Sequence, residues 1–367
     1  MSCLNNNSLI KKPNNLIGVD IFSGSGGLSL GAEMVGVNIK YAVEVWDTAA
    51  ETFKRNHPNA TVINEDISKI DPKTRIEAEP VFVVMGGPPC QGFSMSNQRD
   101  RTMDNPKNML FEQFVRFVNE IEPEWFVFEN VSGIINMEKG KVIKHIADCF
   151  RKIGYTVSEP QILWANDYGV PQRRNRCFLI GNRVGIDFKF PEPIDISVSV
   201  ADAIDDLPIL KSGDNIPELS YRLSLKQCSD YARYMRKNSK KSLQNQVSLN
   251  SDLILKRYEY IPQGGNWRNI PEELMSNYKD KMRCHSGIYK RIKADEPSVV
   301  ISNYRKMMLI HPTQHRGLSV REAARLQSFP DDFFFEGPIS HIQQQIGNAV
   351  PPLLAKAIFN QILSYYE

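Results

Sequence analysis

Apolar residues in the first half of the chain recur in short runs that alternate with amphipathic stretches, the pattern of an α/β sheet. LIGVDIF (16–22) reads as a buried parallel strand, and a glycine-rich turn separates it from a helical pattern over 28–34. IKYAVEV (39–45) predicts a second strand. Asp47 is then expected to cap a helix running to residue 56, its carboxylate accepting unpaired first-turn amides. PVFVVM (80–85) and WFVFEN (125–130) predict further strands, with the amphipathic NMLFEQFVRFVNEI (108–121) between them. A helix over 141–152 and a strand over RCFLIG (176–181) close the regular part. Each strand ends where a polar or glycine-rich motif begins, and in doubly wound sheets ligands bind at the carboxyl ends of strands.

From about residue 185 that rhythm fails. The stretch 211–290 mixes basic, aromatic and amide residues with weak periodicity and predicts an inserted domain of irregular structure. Regularity returns with LSVREAARLQSF (318–329), where Ser319 and Glu322 have the spacing of a capping box, and with VPPLLAKAIFNQIL (350–363), whose prolines suit a first helical turn. A chain of 367 residues is long enough for two domains, or for one with a large insertion. No apolar run is long enough for a membrane span, and MSCLNNNSLIKKPNN lacks the apolar core of a secretory signal. The six cysteines are scattered without a C-x-x-C pair, which argues against a zinc ribbon or disulfide scaffold and for a reducing, cytoplasmic setting. Charge is uneven: residues 211–316 hold 20 Lys and Arg against 10 Asp and Glu, while the remainder is net negative. A basic segment on an acidic body fits a polyanion partner on one face, although a solvated lysine-rich surface has the same composition.

Four motifs carry candidate chemistry. DIFSGSGGLSLG (20–31) places glycines between strand and helix, where backbone approaches a ligand closely; Glu44 ends the next strand, where an acidic side chain holds ribose hydroxyls. The glycine spacing departs from the dinucleotide fingerprint, so an adenosyl ligand without pyrophosphate fits better, with Trp46 placed to stack on adenine or to join the core. In GGPPC (86–90) two flexible residues and two stiff ones deliver Cys90 at a strand's carboxyl end, the setting of a nucleophile rather than of a structural thiol. FEN (128–130) puts Glu129 at the same sheet edge, where desolvation favours a protonated carboxyl. QRRNR (172–176) puts Arg174 and Arg176 on alternate positions of one strand face, needing anionic or carbonyl partners. His311 and His315 lack the further ligands a metal would require, so no metal is expected. The polar stretch 91–108 that follows Cys90 is expected to act as a lid.

Together these residues resemble the C5-cytosine DNA methyltransferase family over nearly the whole chain. The resemblance rests on DIFSGSGG, Glu44, NED (64–66), GGPPCQGFS, FENV, QRRNR, RGLSVREAARLQSFP (316–330) and QIGNAVPP (345–352), in the family's order. It implies a Rossmann-like, S-adenosylmethionine-dependent sheet with helices on both faces, and a smaller, irregular, largely β target-recognition domain. The catalytic domain would comprise 14–184 and 320–367, with 185–319 inserted. By the same resemblance Phe22, Gly24, Gly26 and Gly27 would surround the cofactor. Glu44 would bind ribose, Trp46 would pack on adenine and Asp66 would accept from the adenine amino group. Pro88, Leu110, Asn348 and Ala349 would complete that pocket. Cys90 would add to cytosine C6, Glu129 would act at N3, and Arg176 with Arg174 near it would stabilise O2 of a base flipped from duplex DNA. A phosphate-contacting Thr common in the family is replaced by Val300. The implied product is S-adenosylhomocysteine and the implied partner double-stranded DNA. The expected enzyme is a bacterial or phage monomer in the cytoplasm, associated with the nucleoid through DNA, and the resemblance admits a cognate restriction endonuclease as a separate companion. The alternative is an RNA (tRNA) C5-cytosine methyltransferase of the same chemistry, disfavoured by the length of the recognition segment. A nicotinamide oxidoreductase leaves GGPPC, FEN and QRR unexplained, and a non-catalytic DNA-binding protein has no need of Cys90, Glu129 and Arg176 together.

Overall fold

Five of the apolar runs lie side by side as parallel strands, in a computed structural model that describes residues 10–77, 80–89, 110–276 and 287–367. They are β1 (Ile17–Ile21), β2 (Asn38–Val43), β3 (Thr61–Ile63), β4 (Val83–Gly86) and β5 (Trp125–Asn130). β6 (Thr156–Val157), β7 (Gln161–Trp164) and β8 (Asn175–Asn182) follow, and the order across the sheet is β3-β2-β1-β4-β5-β8-β6, with β7 also on β8. β8 runs antiparallel to β5, β6 and β7. The connecting helices are α1 (Gly27–Glu33), α2 (Asp47–Asn56), α3 (Pro72–Arg75), α4 (Leu110–Ile121) and α5 (Lys141–Lys152).

Alternation along the strands sends successive side chains to opposite faces. Ile17, Val19 and Ile21 of β1, with Phe126 and Phe128 of β5, pack against Phe114 and Phe117 of α4 and Ile146 and Phe150 of α5. Trp125 and Val127 face the other side, in a core shared with Leu28 and Ala32 of α1 and with the last helix. Helices therefore cover both faces, as the α/β reading requires. Two local expectations differ. Asp47 is the first helical residue of α2 rather than its cap, which is Trp46 without a side-chain cap bond; Asp47 still places negative charge in the first turn. The short strands β3, β6 and β7, of two to four residues, carry too few positions for a periodic signal.

The segment 185–319 contains α6 (Val200–Ile204), α7 (Asp230–Met235), α8 (Asp252–Glu259) and α9 (Tyr304–Met307). β9 (Asn215–Leu219) and β10 (Ser242–Gln246) form its antiparallel pair. Its described residues are thus short helices, one two-stranded ladder and irregular chain, not the largely β unit expected. The physical reason is where its apolar side chains go. Val200, Ile204, Tyr231, Met235 and Leu309 join Leu318, Val320, Phe329, Ile342 and Ile346 in one core that crosses residue 319. Only a smaller cluster around Tyr258, Trp267 and Tyr289 belongs to the segment alone. A segment that packs on helices needs no second sheet to cover its apolar face.

The last three helices are α10 (Val320–Leu326), α11 (Ile339–Asn348) and α12 (Pro352–Leu363). Ser319 and Glu322 form the expected capping box at α10. The Glu322 carboxylate also takes two bonds from the buried Arg316, at 2.8 and 2.6 Å. Burial alone would raise Glu322, but Arg316 and the neighbouring His311 outweigh it and hold the carboxyl down at about 2. A folded value below the unfolded 4.5 means that this stabilisation is complete above about pH 4.5 and lost as pH falls toward about 2. Glu322→Gln, which leaves Arg316 buried and unpaired, should cost about 3–5 kcal/mol at neutral pH in urea unfolding. The deficit should shrink on acidification through that window, and a pH-independent deficit would show that the ion pair is not its source.

Candidate active site

The glycine turn, Glu44, the GGPP turn as far as Pro89, and Glu129 with Arg176 meet at one edge, the carboxyl ends of β1 to β5. After β1 the chain turns through Phe22, Gly24 and Gly26, all at positive φ (61°, 54° and 91°), before α1 begins at Gly27. Three left-handed residues in five fold the backbone back on itself, which explains the glycines; Phe22 bears the strain of a side chain there and packs on the β1 core. Gly27 is required for a different reason. A Cβ on it would lie 2.3 Å from the Val350 carbonyl oxygen and 3.4 Å from the Ala349 Cβ, so the start of α1 abuts the link between α11 and α12. Ala349 thereby borders the turn, while Asn348, at the end of α11, is exposed and accepts from Gln344 Nε2 at 2.6 Å.

Glu44 follows β2 and is held from both sides. Its carboxylate accepts from the Gly24 amide at 2.7 Å and from the Trp46 amide at 2.8 Å. Burial pushes its pKa up, opposed by the bonds from Trp46, Gly24 and Val45. Asn64 Nδ2 donates to the Glu44 carbonyl at 2.8 Å, tying the turn after β3 to the turn after β2. Asp66, two residues on, is exposed, and both bonds it receives from Ser68 fall on Oδ1. Those bonds hold its pKa below the usual carboxylate value. Trp46 is half-buried with its ring edge-on to His341 of α11 at 5.3 Å between centroids. Leu110 opens α4 and packs, like Phe22, against the β1–β5 core.

The second half of the site lies where β4, β5 and β8 meet. Glu129 and Arg176 are nearly buried, with Arg176 Nε 2.7 Å from Glu129 Oε1. Burial raises the Glu129 pKa and Arg176 lowers it; the net direction is upward. A Cβ on Gly87 would lie 2.4 Å from Glu129 Oε2, so a side chain there would displace the carboxylate. Pro88 is buried, and its carbonyl accepts from Asn130 Nδ2 at 2.9 Å. Cys90 and the 91–108 stretch lie outside the described residues; the turn is defined up to Pro89. Arg174, expected beside Arg176 at the substrate, instead donates Nη1 to the Ile301 carbonyl and Nη2 to those of Gly347 and Asn348. Among the described residues no group of three or more His, Cys, Asp or Glu is placed to hold a metal ion.

Two residues of this region escaped the sequence reading. Asn130 pins the GGPP turn; its place at the end of a strand beside Glu129 was the available signal. Asp20 lies in the middle of an apolar run and is 1% exposed, accepting from Ser29 Oγ at 2.6 Å through Oδ2, while Oδ1 has no partner among the described residues. Burial pushes it up to about 8 against the lowering effect of Ser29, with Glu44, Glu33 and Glu129 adding to the rise. Burial and its acidic neighbours thus favour its protonated form.

With this geometry in hand, comparison with known proteins gives the class. The chain belongs to the C-5 cytosine-specific DNA methylase family, whose model matches residues 16–364. It is similar to the type II methyltransferase M1.HphI of Haemophilus parahaemolyticus, with 37% identity covering 94% of this chain and 86% of the relative. The type II methyltransferase M.DdeI of Desulfomicrobium norvegicum is 35% identical, covering 95% and 89%. In structure the chain resembles a prophage-encoded Escherichia coli protein described as a candidate DNA modification methyltransferase, at TM-score 0.78 and 26% identity over 95% of this chain and 99% of that one. The protein is accordingly a DNA cytosine-5-methyltransferase, and its family uses S-adenosylmethionine.

The turn and its neighbours fit that cofactor. A Cβ on Gly24 would meet nothing within 4 Å, so open space adjoins the turn, and the Glu44 carboxylate at its rim is fixed by two amides.

Asp20 gives a test of this electrostatic reading. Its folded value of about 8 exceeds the unfolded 3.8, so its contribution to stability is complete below about pH 4 and lost as pH rises toward 8. The Tm of Asp20→Asn relative to wild type should therefore climb across that range, on the order of a few degrees. A difference that is flat with pH would mean that Asp20 is ionised in the folded protein.

Proposed function

We propose that the enzyme methylates C5 of one cytosine within a short, specific sequence of duplex DNA, after flipping that base out of the helix. The observation that carries this reading is the Glu129–Arg176 pair, 2.7 Å apart and nearly buried, against the turn that leads into Cys90.

Phe22, Gly24, Gly26, Gly27, Glu44, Trp46, Asp66, Pro88, Leu110, Asn348 and Ala349 would hold S-adenosylmethionine, which when bound would supply an electrophilic methyl group, with S-adenosylhomocysteine as the product. Glu44 has lone pairs left for ribose hydroxyls after accepting two amides, and Asp66 has its Oδ2 for the adenine amino group. Cytosine C5 is too poor a nucleophile unaided. The Cys90 thiolate forms a bond to C6 while Glu129, raised by burial and so able to hold a proton, gives it to N3. Arg176 lies beside Glu129 with its guanidinium desolvated, where it stabilises charge building on O2. Once C5 is methylated, a base removes the C5 proton, the C6–sulfur bond breaks to return the thiolate, and N3 gives its proton back to Glu129. None of these atoms is reachable in a stacked duplex, so unstacking at a few kcal/mol is part of the reaction.

Sequence recognition is assigned to residues 185–319. Its support is charge: 211–316 holds twice as many basic as acidic residues, on a body that is otherwise net negative. Type II methyltransferases among the relatives favour a restriction–modification setting, with a separate endonuclease reading the same site. A monomer suffices for this chemistry.

The direct test is transfer from labelled S-adenosylmethionine to unmethylated duplex DNA, with base-resolution mapping of 5-methylcytosine. Methylation at one short repeated sequence is expected; transfer to RNA and none to DNA would overturn the substrate. Cys90→Ala should abolish transfer while retaining DNA binding, and substantial turnover would remove Cys90 as the nucleophile. Glu129→Gln should slow transfer by about 10²- to 10⁴-fold with S-adenosylhomocysteine affinity preserved. The wild-type rate should decline as pH rises through the elevated Glu129 pKa, and that limb should vanish in the variant.

A further inference from the structure

The two peptide groups of Ile301 are taken up by side chains from one short stretch of the chain. Gln172 Oε1 accepts from the Ile301 amide at 2.9 Å, and Arg174 Nη1 donates to the Ile301 carbonyl at 3.1 Å. Between them, Arg173 N donates to Ser298 O at 2.8 Å and Ser298 N to Pro171 O at 2.9 Å, so Ser298 forms a single parallel bridge with Gln172. Arg174 Nη2 and Gln172 Nε2 reach further pieces of the chain, while Arg174 Nε has no partner among the described residues. Arg174 Nη2 donates to Gly347 O at 2.8 Å and to Asn348 O at 3.4 Å, while Gln172 Nε2 donates to Leu326 O and Gln327 Oε1. Gln327 in turn donates to Ile346 O. A Cβ on Gly347 would lie 2.3 Å from Ser302 O, so the end of α11 touches the same loop directly.

Three functional pieces converge here: the leader of β8 that carries Arg176, the end of the recognition segment, and the 348–349 wall of the cofactor site. Arg174 is 1% exposed and Gln172 0% exposed, and the bonds of the Arg174 guanidinium go to carbonyl oxygens rather than to a carboxylate. Burying a guanidinium that way is a poor means of gaining stability, since apolar packing avoids the desolvation. What a planar fork of fixed donors gives instead is defined distances between the segments it bridges.

We propose that Arg174 and Gln172 are positioning residues that hold the recognition segment in register with the catalytic strand, acting through the backbone of Ile301 and, for Arg174, of Gly347 and Asn348. This rests on the reading that 185–319 recognises the substrate and Arg176 meets the target base. Val300, 40% exposed at the outer side of that loop, is the residue whose placement the clasp fixes.

The test uses full-length Arg174→Lys, Gln172→Met and the double variant. For each, the single-turnover rate is measured per folded molecule well below its own Tm, with affinities for S-adenosylhomocysteine and duplex. A lysine keeps the charge but cannot bond Ile301 and Gly347 together, so Arg174→Lys should lose about 10- to 100-fold in rate with both affinities held within about threefold. The double variant should lose little more than the worse single variant, because both act through Ile301. A wild-type rate in Arg174→Lys, losses that simply follow the folded fraction, or single losses that multiply in the double variant would each overturn the proposal. Rates are read on whichever nucleic acid the wild-type enzyme methylates. Failure of the DNA reading then shows in the wild type, and failure of the clasp only in the variants.

Discussion

The Glu129–Arg176 pair exists because one strand of the sheet runs the wrong way. Arg176 is the second residue of β8, and in a parallel strand the second residue would lie at the amino edge, far from the site. Because β8 is antiparallel to β5, its beginning lies beside the end of β5, and Asn130 is paired with Cys177 one residue away. On the other side β4 is parallel to β5, so both strands finish together and the turn starting at Gly86 opens directly beside Phe128 and Glu129. Two opposite ladder directions on the flanks of one strand thus deliver a cation and a turn to the same carboxyl group.

The surroundings of that carboxyl are stiff. Asn130 fixes Pro88, Asn64 fixes the backbone of Glu44, and Glu44 fixes the glycine turn, so side-chain bonds to backbone link the turns after β1, β2 and β3, and tie the turn after β4 to the end of β5. Preorganised dipoles of this kind do not have to reorient as charge moves, which is the condition under which electrostatic stabilisation acts most strongly. The raised values of Asp20, Glu44 and Glu129 share one cause, removal of carboxyl groups from water at a sheet edge.

Much of this was legible in sequence. β5, α2 and α5 lie at their expected bounds because runs of apolar residues and amphipathic periods are long enough to be read there. Glu129, Glu44 and the glycine turn were visible as polar or flexible residues ending apolar runs, and Arg176 as a cation entering one. The partners of Arg174 were not: alternation on a strand says that two arginines share a face, but not that residues more than a hundred positions downstream will bring carbonyl groups to one of them. Asp20 was hidden because a single acid within IGVDI reads as an interruption of a strand. The architecture of 185–319 was misjudged for a related reason. Its apolar residues are completed by α10 and α11, so no periodic pattern within the segment could reveal its partner.

Gly27 meets the carbonyl of Val350, and Ile10 pairs with Tyr366, so the start of α1 and the chain ahead of β1 are closed off by residues more than three hundred positions downstream. During synthesis the glycine turn leaves the ribosome more than three hundred residues before the wall that completes it. The turn therefore takes its final packing only after the chain through Val350 has folded back against it.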